Sequence, residues 1–66
     1  MTKEMEFFIY LVEHFAYFKG KNAKEVFDLF EKKGVTKLIY DMYERYHTEA
    51  IENAYEDIDK ILKDNN

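Results

Sequence analysis

The segment NAKEVFDLFEKKG, residues 22–34, carries the signals of one complete helix. Asn22 can accept a hydrogen bond from the backbone N–H of Glu25, and the Glu25 side chain can return to Asn22, as in a capping box. Apolar residues recur at helical spacing and predict an inward stripe formed by Ala23, Val26, Phe27 and Phe30. The last turn is basic, as the helix dipole favours, and Gly34 is suited to end the helix. We therefore predict a helix over about residues 23–33.

Working outward from this segment, helical periodicity predicts three more helices, over about residues 3–19, 37–46 and 49–63. A threonine at the start of each is the expected N-cap: Thr2, Thr36 and Thr48. No segment alternates apolar and polar residues with period two over a useful length, and no hairpin-type dipeptide occurs. The sequence therefore predicts a single all-α domain over residues 1–66, folded as a compact bundle of about four short helices.

Each of these helices has an apolar stripe that we expect to contribute to the core. The stripe of the first helix consists of Phe8, Leu11, Phe15 and Phe18. That of the third consists of Leu38, Ile39, Met42 and Tyr46, and that of the fourth of Ile51, Ala54, Ile58 and Ile61. Because the chain has six Phe and six Tyr residues, a few large rings can supply most of this core.

The overall composition excludes or disfavours several classes of protein. A formal net charge of −4 and a pI near 5.1 disfavour binding to phosphate backbones, which depends on clustered Lys and Arg. The chain has no cysteine, so a disulfide framework or a thiolate zinc site is excluded. The longest apolar run is six residues, Phe7 to Val12, which is too short for a membrane span or a signal-peptide core. These features predict a cytoplasmic protein that binds neither nucleic acid nor membrane.

The two histidines are the strongest candidates for catalytic or metal-binding residues. His47 can be a general base or a metal ligand, or it can end the third helix, where an imidazolium meets the negative end of the helix dipole. His14 lies on the first helix, and its separation from His47 fits no short metal motif. The chain has no serine or cysteine to act as an acyl-transfer nucleophile. The sequence therefore predicts no catalytic, cofactor-binding or metal site, and a protein that is not an enzyme.

The acidic segment at residues 49–59 has both a functional and a structural interpretation. A calcium loop alternates oxygen ligands and places a glycine at its centre. This segment has no glycine, and its apolar residues keep helical spacing. We therefore expect a helix whose acidic side chains face water.

A helix-turn-helix over residues 23–46 would make the protein a small DNA-binding regulator, and this is the alternative function. The side chains expected on the exposed face of its recognition helix carry no net charge: Lys37, Asp41, Glu44 and Arg45. Carboxylates that face a phosphate groove weaken binding. The pattern therefore favours an ordinary helical corner.

The tyrosines indicate a surface that could bind a partner. Two groups stand out: Tyr10 and Tyr17 on the outer side of the first helix, and Tyr40, Tyr43 and His47 along one flank of the third. Such residues can belong to a core with a wetted hydroxyl, or they can form a binding surface, because tyrosine is enriched at interface hot spots. The chain also has more apolar positions than a small monomer needs. We predict these five residues as the partner-binding residues of a protein–protein interaction module.

Five blocks follow one another along the chain: EFF (residues 6–8), KEVFDLF (24–30), KKGV (32–35), the Tyr43…His47–Thr48 junction and EDID (56–59). In their order and spacing they resemble a bacterial family of short all-helical domains of unknown function. Members of that family are often encoded beside genes for ADP-ribosyltransferase-like toxins. The resemblance implies an antitoxin-like or accessory role, with no functional residue to transfer. The expected partner is the neighbouring gene product or, through self-association, a second copy of the chain.

Overall fold

The computed structural model describes residues 1–64 of the chain, and these residues contain five helices. They are α1 (Lys3–Lys19), α2 (Ala23–Lys32), α3 (Thr36–Asp41), α4 (Tyr43–Tyr46) and α5 (Ile51–Asp64). No strand occurs among these residues, and the helices pack into a body of 27 × 21 × 20 Å. None of the helices within residues 1–64 combines the length and the apolar character that a membrane span requires. The predicted all-α bundle is therefore confirmed, while positions 65 and 66 of the predicted domain lie outside the described residues.

The starts of α1 and α2 are those that the sequence predicts. Oγ1 of Thr2 accepts a hydrogen bond from the N–H of Met5 at 3.1 Å, and Gly20 ends α1 in the left-handed conformation at φ +70°. Asn22 and Glu25 form the predicted capping box, with N···O distances of 2.8 and 3.0 Å. Because these contacts span at most three residues, both helices begin at hydrogen bonds that the local sequence encodes.

The prediction of one helix over residues 37–46 is wrong, because the chain forms two short helices there. Asp41 ends α3, Met42 departs from helical geometry at φ −82° and ψ 10°, and Tyr43 begins α4. Met42 donates its N–H to the carbonyl of Ile39 at 3.1 Å, a tightened turn, while its half-buried side chain packs against the core. The sequence has neither proline nor glycine at this point, so we attribute the break to the packing of Met42.

Thr36 is not the N-cap of α3, contrary to the prediction. Val35 occupies the cap position, with its side chain buried in the core and its N–H bonded to the carbonyl of Phe30 at 2.9 Å. Thr36 is already the first helical residue, and its Oγ1 is buried with no hydrogen-bond partner among the described residues. The burial of Val35 thus places the helix start one residue earlier than the threonine signal indicates.

The last helix begins later than predicted, at Ile51 instead of about residue 49. Thr48 does not cap it. The Thr48 hydroxyl donates to the carbonyls of Glu44 and Arg45, at 3.3 and 3.0 Å, and so closes the C-terminal end of α4. A threonine hydroxyl can satisfy the carbonyls of a preceding helix or the N–H groups of the next one, and the local sequence does not distinguish the two.

The core lies where α1 meets the other helices, with Phe15 at its centre. The centroid of the Phe15 ring is 6.2 Å from that of Phe30 on α2 and 5.8 Å from that of Tyr55 on α5. The other buried side chains are Phe8, Leu11, Val12, Ala16, Val26, Val35, Ile39, Tyr46, Ala54 and Ile58. Three members of the predicted stripes are exposed instead: Phe18, Phe27 and Leu38. Phe18 covers the outer side of Tyr55, with the two ring centroids 4.7 Å apart.

Candidate functional site

A continuous run of five rings crosses the surface from α1 to the end of α4. Its members, which we call the aromatic surface, are Phe7, Tyr10, His14, Tyr43 and His47. Phe7 connects the two halves, with its ring centroid 6.1 Å from that of Tyr10 and 5.5 Å from that of Tyr43. The histidines lie at the two ends, His14 at 4.1 Å from Tyr10 and His47 at 4.2 Å from Tyr43.

Helical spacing places these rings side by side. Phe7, Tyr10 and His14 follow at intervals of three and four residues, which puts them on one side of α1. Tyr43 and His47 are four residues apart across α4, and their rings are parallel within 1°. The rings at the centre of the run are half-buried, whereas Tyr10, His14 and His47 are exposed. The aromatic surface therefore has a packed base and open ends.

His47 is held in one orientation by the backbone at the end of α4. The carbonyl of Tyr43 accepts two hydrogen bonds from His47, one from its backbone N–H at 3.0 Å and one from its ring Nδ1 at 2.6 Å. Because a carbonyl oxygen can only accept, Nδ1 carries the proton in this arrangement. Nε2 is then the ring nitrogen that is left to meet a partner group.

The structure brings together three of the five residues predicted to bind a partner: Tyr10, Tyr43 and His47. Tyr17 lies seven residues after Tyr10 on the same side of α1 and is 87% exposed. Tyr40 packs against Phe8 instead, at a centroid distance of 5.7 Å. The other two members of the aromatic surface, Phe7 and His14, were not in the predicted set. Their signal was in the sequence, since they lie three residues before and four residues after Tyr10.

The two histidines do not converge on a shared ligand position. Phe7 and Tyr10 lie between His14 and His47 in the run of rings. Among residues 1–64, no group of three or more His, Asp or Glu side chains is arranged to hold a metal ion.

The expectation that the acids of residues 49–59 face water holds for Glu49, Glu52 and Glu56, which are exposed. It is wrong for Asp57 and Asp59, which are half-buried and contact other helices. Oδ2 of Asp57 accepts a hydrogen bond from the buried hydroxyl of Tyr46 at 2.5 Å. Burial, the hydrogen bond to Asp57 and the charge of Asp57 together raise the pKa of the Tyr46 phenol well above its usual value. Asp59 pairs with Lys19 on α1 at 3.0 Å. These two contacts attach α5 to α4 and α1.

Two cations on the outer side of α3 and α4 are paired with carboxylates along the chain. Lys37 contacts Asp41 at 2.7 Å, and Arg45 contacts Glu49 at 3.6 Å. In each pair the cation lies four residues before the carboxylate, so the two charges neutralise one another at the surface. A DNA backbone would have to compete with these carboxylates for both cations.

An open apolar groove of about 1070 Å³ lies between α1, α2 and α3, and we refer to it as the groove. Its apolar lining consists of Met5, Phe8, Ile9, Val12, Ala23, Phe27 and Tyr40. Phe8 and Val12 form a buried floor, while Met5, Ile9 and Phe27 are exposed along its walls. The charged residues that line it are Glu13, Lys24, Glu31, Lys37 and Asp41. The protein thus has two distinct surfaces, one aromatic and one a mostly apolar groove.

Comparison with known proteins identifies one family. A family model with the description "Protein of unknown function (DUF3791)" matches residues 6–65, which is nearly the whole chain. No curated protein and no solved structure matches the sequence. The matched segment includes every residue of the aromatic surface and all but one of the residues that line the groove, Met5 being the exception.

Proposed function

Because the chain belongs to the DUF3791 family, which is described only as a protein of unknown function, we propose its function from its surfaces. The protein is a non-enzymatic protein–protein interaction module that binds its partner through the aromatic surface. The observation that carries this proposal is the unbroken contact of five rings between His14 and His47. Large rings bury about 150–250 Å² each, and tyrosine is among the residues that most often dominate binding energy.

The rings support binding because the fold already holds them in place. Phe7 is in contact with Tyr10, Tyr43 and His47, with centroid distances between 5.5 and 6.4 Å. A side chain that is ordered before association loses less conformational entropy when the partner arrives. The aromatic surface can therefore convert more of its buried area into affinity than an equal number of freely rotating side chains.

The charge of the chain favours a basic partner. The net charge is −4, and α1 places Glu6 four residues before Tyr10. This carboxylate therefore lies beside a tyrosine on the outer side of the helix. Arg and Lys side chains are attracted both to carboxylates and to the faces of aromatic rings. Long-range attraction to an acidic surface would also speed the encounter with such a partner.

An antitoxin-like or accessory role toward a neighbouring enzyme is the specific form of this proposal. It is supported by the resemblance to helical domains encoded beside ADP-ribosyltransferase-like toxins. In that role, the module would cover or reposition a basic region of the enzyme. The enzyme would supply the chemistry, and this chain would supply only the contact.

The test is co-purification of the tagged full chain with the product of the adjacent gene. Tyr10→Ala removes an exposed ring of the aromatic surface, and we expect it to weaken the complex at least tenfold, which is about 1.4 kcal/mol. Leu38→Ala is the matched control, because Leu38 is also exposed but belongs to neither surface, and it should leave the complex intact. Failure to co-purify would refute the antitoxin-like form. Equal effects of the two substitutions would refute the aromatic surface as the binding site.

A further inference from the structure

We propose that the groove is a self-association site, which binds a second copy of this chain in a two-fold symmetric dimer. In this dimer, Met5 and Ile9 of each copy enter the groove of the other. The proposal does not rest on the interaction function proposed above. Phe7 and Ile9 are separated by about 200° around α1, so the groove and the aromatic surface lie on different sides of that helix.

The shape of the groove is suited to a second copy of the chain as its occupant. A two-fold interface requires that one surface patch carries both the projecting part and the recess. Met5 and Ile9 are four residues apart and form an exposed apolar ridge on α1, and the same ridge is one wall of the groove. Phe27 is exposed on the opposite wall, and Phe8 and Val12 form the floor between them. When two copies approach with their α1 ridges offset, each ridge can fill the recess of the other.

The charges around the groove also favour a second copy over a strongly charged partner. The groove is lined by two cations, Lys24 and Lys37, and three carboxylates, Glu13, Glu31 and Asp41, a formal charge of −1. The whole chain carries −4, so most of its excess negative charge lies elsewhere. Two identical molecules repel one another least where their facing surfaces are nearly neutral and carry both signs. A very basic or very acidic partner would find less electrostatic complementarity here than on the outer side of α1.

Dimerisation through the groove would bury apolar side chains that the monomer leaves exposed. A domain of this length buries only about 60% of its unfolded surface, and burial in an oligomer is one way to add to that. A standard interface covers about 800 Å² on each partner, roughly a sixth of the 4613 Å² accessible surface of this chain.

The experiment is sedimentation equilibrium of the untagged full chain from low micromolar to near-millimolar concentration. We expect the mass to rise from the 8.1 kDa monomer to twice that value. Ile9→Glu should hold the chain at the monomer mass throughout, since a carboxylate would then be buried at the centre of the contact. Leu38→Glu is the matched control, because Leu38 and Ile9 are similarly exposed, at 47% and 42%, and only Ile9 lines the groove. Leu38→Glu should dimerise like the unmodified chain.

Any of three results of the mass measurements would overturn the proposal: a monomeric unmodified chain at every concentration, a mass that rises beyond two copies, or equal effects of Ile9→Glu and Leu38→Glu. Circular dichroism shows whether Ile9→Glu folds, and Met5→Glu replaces it otherwise. A measurement on the unmodified chain gives an independent answer. The methyl resonances of Met5 and Ile9 should shift with concentration while those of Leu38 stay constant, and the reverse pattern would exclude the groove. A dimer that forms without any adjacent gene product bound would leave this inference standing even if the proposed function failed.

Discussion

The hydroxyl of Tyr46 lies 2.5 Å from Oδ2 of Asp57 and joins α4 to α5. Tyr46 is only 2% exposed, so its hydroxyl needs a partner inside the protein. Lys19 and Asp59 add a second contact to α5, from α1. Since the Lys19–Asp59 pair is more than one third exposed on both sides, we expect it to contribute no more than about 1 kcal/mol. Tyr46 and Asp57 therefore form the principal polar attachment of α5.

Removing the Tyr46 hydroxyl should destabilise the fold measurably. We expect Tyr46→Phe to lower the free energy of unfolding by about 1–2 kcal/mol, because a hydrogen bond to a carboxylate is lost while the ring still fills the core. For a domain of this size, that corresponds to a fall in Tm of roughly 4–16 °C. Chemical denaturation and thermal melting of the two proteins provide the measurement. Asp57→Asn is the companion variant, and a double variant that loses the sum of the two single effects would show that the groups do not interact.

The same phenol should make stability depend on pH in the alkaline range. The folded state raises the pKa of Tyr46 above the usual value of about 10, so it keeps the proton more tightly than the unfolded chain does. The stabilising contribution of this group is thus complete below about pH 10 and is lost as the pH rises through the folded-state pKa. Denaturation curves collected from pH 8 to pH 11 should show a fall in stability above about pH 10. Tyr46→Phe should make this fall shallower, and identical slopes in the two proteins would contradict the assignment.

Removing the hydroxyl of Thr36 should not destabilise the fold, in contrast to removing that of Tyr46. Its Oγ1 is buried with no hydrogen-bond partner among the described residues, so Thr36→Val replaces an unsatisfied hydroxyl by a methyl group of similar shape. We expect no loss of stability, and a gain of up to about 1 kcal/mol. Thr48→Val is the matched control, because the Thr48 hydroxyl donates to two carbonyls, and it should cost about 0.5–1 kcal/mol. A loss at position 36 as large as that at position 48 would show that Thr36 has a hydrogen-bond partner in solution.

The parts of the fold that the sequence predicted correctly depend on contacts between near neighbours. Asn22 and Glu25 exchange two hydrogen bonds across three residues, and Thr2 caps α1 through Met5 across the same distance. Such contacts require only that the local chain is helical. The helical periodicity of the apolar residues then accounts for the all-α class and for most of the core.

The parts that the sequence did not reveal depend on contacts between distant elements. The break at Met42 and the early start of α3 at Thr36 occur where Met42 packs against the core and Val35 is buried within it. The hydrogen bond from Tyr46 to Asp57 spans eleven residues and two helices. Phe7 contacts Tyr43 only because α1 and α4 are neighbours, so the joining of the predicted residues into one surface could not be read from their spacing.

Phe7 should control the geometry of the aromatic surface, since it is the ring that connects α1 to α4. We expect Phe7→Leu to keep the apolar contact but to remove the ring, and so to lower the free energy of unfolding by about 1 kcal/mol. The proton resonances of Tyr10, Tyr43 and His47 should all shift, because each of these rings lies within 6.4 Å of Phe7. Phe27→Leu is the matched control, because Phe27 is exposed in the groove and its replacement should leave those resonances unchanged.

Affinity for the partner should fall with Phe7→Leu even though Phe7 itself is half-buried, because Tyr10 and Tyr43 would no longer be ordered before binding. Unchanged resonances of Tyr43 and His47 in Phe7→Leu would show that α1 and α4 do not form one surface.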